Sequence, residues 1–171
     1  RYDLIWHKTR SSGFLNAKKA PLRSHEHVLV FSDKGKIYNP QMWQTDCANR
    51  QVLKYGNVAT AVYGKEKSNR SYTYTEYRFP LSVIKPSTKR EQRGLHPTQK
   101  PVALLEWLIR TYTNPGDTVL DPVMGSATTG IACLRTGRHF VGIEKDATYF
   151  DVARKRVDAE RAAMGLPPAG C

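Results

Sequence analysis

Residues 121–130 read D-P-V-M-G-S-A-T-T-G, directly after the apolar run Thr118–Asp121 and directly before a stretch of helical character. A glycine-bearing turn between a strand and a helix holds small ligands, because backbone N–H groups and the helix dipole converge there. Glu144 closes the next apolar run, 19 residues beyond Gly125. That is near the roughly 20 residues at which a carboxylate meets ribose hydroxyls in nucleotide-binding βαβ units. Asp121 places a second carboxylate at the mouth of the turn.

Three ligands compete for this arrangement. A nucleoside triphosphate wants G-x-x-x-x-G-K-[ST]; Gly125 and Gly130 have the spacing, but Ile131 stands where the Lys belongs. A dinucleotide wants G-x-G-x-x-G, and Ala127 adds a methyl group where the pyrophosphate would approach. That reading is disfavoured but stays open. S-adenosylmethionine carries a ribose for Glu144 and an amino-acid tail in place of phosphates. Its ammonium would meet Asp121, and its carboxylate would meet Thr98–Lys100 or N–H groups near Thr128. The alternative for Glu144 is a cap on the following helix.

The elements that position these residues follow from periodicity. Thr118–Asp121 and His139–Glu144 read as short buried strands, and Thr128–Thr136 as a helix closed by Gly137. Strand, helix, strand at this spacing makes a βαβ unit and hence a parallel sheet. Upstream, H-P-T-Q-K-P opens a helix with Pro101 as its first residue and Val102, Leu105, Leu108, Ile109 and Tyr112 on one face. A final helix from Asp146 presents Tyr149, Ala153, Val157 and Met164. At the other end, Tyr2–Trp6 and His27–Ser32 read as apolar strands, with basic loop over residues 7–23 between them. Residues 33–93 mix aromatic, amide and basic side chains without a sustained period, as in an inserted recognition region. There Tyr72, Tyr74, Tyr77 and Phe79 either pack a small core or contact bases and sugars beside Arg70 and Arg78.

Composition sets the outer bounds. The 171 residues suffice for one domain with a real core. No apolar run approaches the roughly 18 residues of a membrane span, and no signal-peptide pattern opens the chain. Cys47, Cys133 and Cys171 form no C-x-x-C pair, which argues against a zinc site or disulfide framework and fits a reducing compartment. The net charge of +12 is unevenly placed. Residues 1–100 carry 19 Lys+Arg against 7 Asp+Glu, whereas residues 101–171 carry eight of each. A basic face for a polyanion, joined to a neutral remainder, is the expectation. The opening at Arg1, inside an apolar strand, leads us to expect the second part of a longer protein.

With H-P-T-Q-K-P, then T-V-L-D-P-V-M-G-S-A-T-T-G, then G-I-E-K-D, the chain resembles the cofactor half of a β-class DNA amino-methyltransferase, a family that methylates adenine N6 or cytosine N4. The segment G-F-L-N-A-K-K-A-P-L-R-S-H-E-H-V-L-V-F resembles the stretch that the family places between its catalytic motif and its target-recognition region. The resemblance implies an α/β fold: a Rossmann-like methyltransferase with a mixed, mostly parallel sheet in circularly permuted order, here lacking its N-terminal strands. It implies S-adenosylmethionine held by His96, Thr98, Gln99 and Lys100, by Asp121, Val123, Gly125, Ser126, Thr128 and Thr129, and by Glu144 with Lys145. It implies double-stranded DNA as partner, with Lys18, Lys19 and Arg23 near its backbone and Arg70 and Arg78 in the recognition region. Dimers are frequent in the family, so a homodimer belongs to the expectation, as does a cytoplasmic setting in a bacterial or phage-infected cell. No metal is implied. The division expected is 1–32 catalytic domain, 33–93 target recognition and 94–171 cofactor binding.

Three departures accompany the match. Val123 stands for the family's Phe, and Ala127 for its second Gly. The catalytic tetrapeptide D-P-P-Y or S-P-P-Y occurs nowhere in these residues, so no catalytic residue is assigned. His25 and Glu26 are candidates for assisting base binding or for a structural role. The expectation is therefore a fragment of a site-specific DNA methyltransferase, with adenine N6 preferred, inactive by itself. A catalytically inactive DNA-binding remnant, of prophage origin, is the alternative, and a nucleotide-dependent oxidoreductase a distant third.

Overall fold

The first strand outruns its apolar core. In the computed structural model, which describes residues 2–33, 37–44, 77–86 and 94–168, β1 (Tyr2–Ser12) pairs antiparallel with β2 (Arg23–Val30). Tyr2 lies opposite Val30, and His7 opposite His25. This corrects the loop expected over residues 7–23 and the strand expected over 27–32. Ladder hydrogen bonds satisfy the polar backbone whatever the side chains are, so His7–Ser12 and Arg23–Glu26 join the sheet without being apolar. The hairpin keeps a two-residue alternation: Leu4 and Trp6 are buried, while Arg23, His25, His27 and Leu29 face solvent. A 3-10 turn, Phe14–Asn16, lies in the connection.

The chain divides into two compact units, Arg1–Gln41 with Leu81–Cys171, and Met42–Pro80. In the second, β3 (Trp43–Gln44) pairs antiparallel with β4 (Tyr77–Arg78), and the Trp43 indole N–H donates to the Phe79 carbonyl at 3.2 Å. Arg70, Tyr72, Tyr74, Cys47 and Cys171 lie outside the described residues.

In the first unit β5 (Val83–Ile84) runs parallel to β1, making a mixed sheet in the order β2-β1-β5. Then come α1 (Val102–Tyr112), β6 (Thr118–Asp121), α2 (Thr128–Thr136), β7 (His139–Gly142) and α3 (Ala147–Ala163). Pro101 is the residue before α1, not its first: its ψ of 137° is extended. β6 and β7 are parallel as expected, with Thr118 opposite His139 and Asp121 opposite Gly142. Pairing of β7 stops two residues short of Glu144. Among the described residues of this unit the implied single sheet is two separate ladders, joined through the side chains of α1.

That helix is buried more widely than one face. Val102 and Ile109 pack with Ile131, Ala132 and Cys133 of α2, whereas Leu104 packs with Trp6 and Ile84 of the mixed sheet. Leu105 touches both clusters. Burying each such side chain stabilises by roughly 1.5–3 kcal/mol, so α1 is the common wall of the fold. Close approach of α2 to β7 needs Gly130, where an added Cβ would lie 2.8 Å from the Phe140 ring. The far face of β6–β7 is open: Leu120 is 60% and Val141 49% exposed.

Cys133 is fully buried in the first cluster, and burial pushes its thiol up to about 11. Since the thiolate is the nucleophile, Cys133 is expected to resist iodoacetamide at pH 8 in the native protein and to react on denaturation. Mass-spectrometric peptide mapping checks this, and rapid native labelling of Cys133 would refute it.

Candidate cofactor and nucleic-acid site

The carboxyl ends of β6 and β7 lie side by side, which is where open α/β sheets bind ligands. At the end of β6, Asp121 Oδ2 accepts from the Thr129 hydroxyl at 2.6 Å, and Oδ1 from the Val123 N–H at 3.1 Å. Beyond β7, Glu144 Oε2 accepts from the Gly125 N–H at 2.8 Å, and Oε1 from the Asp146 N–H at 3.0 Å. Glu144 therefore clips the glycine turn to the second strand. The helix cap is Asp146, whose side chain accepts from Thr148 and Tyr149 N–H. Hydrogen bonds from the backbone N–H of Asp146 and Gly125 hold the Glu144 carboxyl below its ordinary value.

Gly125 has φ +53°, the left-handed region that favours glycine. An added Cβ there would come 3.2 Å from the His96 ring. His96 in turn packs edge-on against Tyr149, ring centroids 4.3 Å apart, and shares its Nδ1 with the Thr98 hydroxyl at 3.1 Å. The H-P-T-Q-K-P segment and the start of α3 thus wall the same turn. A cavity of about 550 Å³ opens beside it, lined by Trp6, Lys8, Arg10, His96, Lys100 and Tyr149 among others. This lies within the usual size range of small-molecule sites.

Ala127 adopts φ +54° and ψ +41°, the one non-glycine positive φ among the described residues, and is 1% exposed. Its methyl group is in the core, so its cost is backbone strain of about 1 kcal/mol and not crowding of the open turn. Val123 is 81% exposed at the tip, and Lys145 is also exposed. Ser126 and Thr128 are buried at 2% and 6% exposure. Arg156 Nη1 donates to the Ser126 carbonyl at 2.9 Å, to its hydroxyl at 3.2 Å and to the Thr128 hydroxyl at 3.1 Å. The sequence reading missed Arg156, although its place seven residues beyond Tyr149 puts it on the inward face of α3.

Glu26 is a candidate for assisting base binding or for a structural role. Its carboxylate bonds Lys100 at 2.8 Å and Lys8 at 3.4 Å, and the Lys100 ammonium sits 5.7 Å from the Trp6 ring centroid. Burial pushes the Glu26 carboxyl up, but the Lys100 hydrogen bond and the two ammonium charges hold it below its ordinary value. Glu160 is lowered too, by its Arg135 hydrogen bonds. Depressed carboxyls stabilise the fold above their unfolded value of 4.5 and lose that contribution as pH falls through the lowered values. The melting temperature is therefore expected to hold from pH 7 to about 5 and to fall on acidification below 4.5. A scan showing greater stability at pH 3.5 than at pH 7 would contradict this.

Lys18, Lys19 and Arg23 are exposed along the hairpin connection, and Arg78 is exposed in the second unit. Among the described residues no group of three or more His, Cys, Asp or Glu gathers as a metal site, and no helix is long and apolar enough to cross a membrane.

A family model described as DNA methylase (N6_N4_Mtase) matches residues 1–155. The chain belongs to this DNA methylase family. The chain is 44% identical over 146 residues to type II methyltransferase M2.LlaDCHI of Lactococcus lactis subsp. cremoris, a match covering 77% of this chain and 54% of that protein. It is 49% identical over 75 residues to type II methyltransferase M2.DpnII of Streptococcus pneumoniae, covering 43% of this chain and 28% of that protein. The chain spans about half, or less, of the length of these curated relatives. Among solved structures, M1.HpyAVI in complex with SAM matches with a TM-score of 0.59 at 28% identity, over 92% of this chain and 62% of that one. The PvuII DNA methyltransferase, cytosine-N4-specific, matches with a TM-score of 0.60 over 88% of this chain and 48% of that one; at 19% identity it shows the fold alone.

Proposed function

We propose that this methylase chain holds S-adenosylmethionine and DNA for methyl transfer to a base amino group, adenine N6 in preference to cytosine N4. The observation that carries the reading is the pair of carboxylates, Asp121 and Glu144, flanking the Gly125 turn at the ends of two parallel strands. Their chemistry fits the cofactor: Glu144 retains lone pairs for ribose hydroxyls, and Asp121 presents negative charge toward an ammonium. His96, Thr98, Gln99 and Lys100 close the methionine side, with Val123, Gly125, Ser126, Thr128 and Thr129 forming the turn and Lys145 beside Glu144. When bound, S-adenosylmethionine supplies a methyl group on a sulfonium, and positioning governs its transfer.

The residues themselves orient and shield. Arg156 locks the buried end of the turn, and His96 with Tyr149 covers Gly125. Because the residues contain neither D-P-P-Y nor S-P-P-Y, the contacts that activate the base amine are not assigned to any of them. Lys18, Lys19, Arg23, Arg70 and Arg78 are proposed DNA contacts, and residues 33–93, including the unit Met42–Pro80, the target-recognition region. The motif order supports circular permutation, and a homodimer in the cytoplasm is part of the same reading.

Calorimetric titration of S-adenosylmethionine into the chain tests it. Saturable one-site binding supports the proposal. Absence of binding, together with retained DNA affinity, would replace it by the DNA-binding remnant.

A further inference from the structure

The connection between β1 and β2 ends in an apolar tip that stands exposed. Leu15 is fully exposed and Phe14 is 68% exposed, and every residue from Ser12 to Pro21 is exposed. A tip of two large apolar side chains would ordinarily fold back onto the protein, as hydrophobic burial favours. Here the backbone holds it outward. Gly13 takes φ +94°, Asn16 N–H donates to the Gly13 carbonyl at 3.0 Å, Ala17 N–H to Phe14 at 3.1 Å, and Lys19 and Ala20 N–H to Asn16 at 2.8 and 2.9 Å. The tip is thus an ordered turn that presents its apolar residues.

Its surroundings say what it meets. Residues 7–23 contain Lys8, Arg10, Lys18, Lys19 and Arg23 and not one Asp or Glu. Lys8 pairs with Glu26 of β2; an apolar point flanked in sequence by Arg10, Lys18, Lys19 and Arg23 is complementary to a polyanion with an apolar interior, which describes a base-paired duplex: phosphates outside, stacked bases within. A protein partner offering an acidic rim would match the charge but not the flat, stacked interior that a Phe–Leu pair fills. Lys8 lines the cavity beside the glycine turn, and from Lys8 to Ser12 the strand covers roughly 13 Å. A major groove is about 12 Å wide, so the tip and the cavity reach the same few base pairs.

We infer that Phe14 and Leu15 form a wedge that enters the base stack of double-stranded DNA and occupies the gap left when a nucleotide is drawn out toward the cavity. The inference rests on the proposed DNA-binding function. The wedge separates neighbouring bases while Lys18, Lys19 and Arg23 hold the phosphates on either side. Unstacking is the costly part of extrusion, and a gap already present removes that cost.

The test uses the full chain and three fluorescent probes: an intact duplex, the same duplex with one central abasic site, and one of its single strands. Anisotropy is measured across a salt series. A wedge predicts that the wild-type chain prefers the abasic duplex to the intact one by roughly tenfold. Phe14→Ala/Leu15→Ala is expected to erase that preference without changing the slope of affinity against salt. Lys18→Ala/Lys19→Ala is expected to keep the preference and flatten the slope by about 2. Both pairs are exposed, so folding is retained, and an unchanged melting temperature verifies it. Phe14→Ala/Leu15→Ala binding like wild type would overturn the wedge and leave DNA binding intact. Equal loss on the single strand would also overturn it, since stacking on unpaired bases would then explain the tip. A wild-type chain that binds none of the probes would overturn the DNA reading and the wedge with it.

Discussion

Glu144→Gln is expected to weaken S-adenosylmethionine binding by roughly one to two powers of ten. The carboxylate has one oxygen on the Gly125 N–H and the other on the Asp146 N–H. An amide offers one acceptor, so glutamine must turn its NH2 toward one of these donors. Either the glycine turn or the start of α3 then loses its tie, and the ribose hydroxyls lose a charged acceptor. Loss of a charged acceptor and of one tie on the turn sets the size of the effect. The side chain is solvent-accessible, so the melting temperature should move by only a few degrees. Calorimetry on the variant and wild type decides: an unchanged dissociation constant would remove Glu144 from the cofactor site and leave it a purely structural clip.

Arg156→Ala should be the most damaging single change in α3. Its guanidinium serves the Ser126 carbonyl, the Ser126 hydroxyl and the Thr128 hydroxyl, groups that are almost fully buried. Alanine leaves these acceptors without that donor, and a buried group left unsatisfied costs about 1–3 kcal/mol. A loss of roughly 2–4 kcal/mol is expected, since water entering the vacated space recovers part. For a chain of this size that lowers the melting temperature by roughly 5–15 °C. Arg156→Lys, with one ammonium for three acceptors, should fall between. Scanning calorimetry of the three proteins tests the order, and an alanine variant as stable as wild type would show that the turn closes without the arginine.

The second half of the chain was legible because its signals are local. Strand, glycine turn, helix and strand over 118–144 are written in short apolar runs, Gly137 and the spacing to Glu144. The hairpin was not, because His7–Ser12 and Arg23–Glu26 owe their strand state to each other across the ladder, and no period-2 hydrophobicity announces such polar strands. Pro101 was displaced by one position because a proline just before a helix and one inside its first turn look alike in sequence. At the site, the sequence named Asp121, Gly125 and Glu144. It could not foresee that Ser126 and Thr128 turn inward onto Arg156, since that depends on which face of α3 meets the turn. Ala127 shows the same limit. A methyl group at a glycine position reads as an obstruction to ligand, yet the backbone turns it into the core.

The bare outer face of β6 and β7 has a consequence for the chain in solution. Leu120, Val123, Val141 and Ile143 are all about half or more exposed at or near the ends of these two strands, and an exposed apolar patch favours self-association. Mutual repulsion between copies carrying +12 opposes it. That protection has a range of about 10 Å at 0.1 M salt and 3 Å at 1 M. The high-salt wash that strips adventitious nucleic acid from a basic protein therefore also removes its colloidal barrier, and turbidity would appear at the very step meant to clean the preparation.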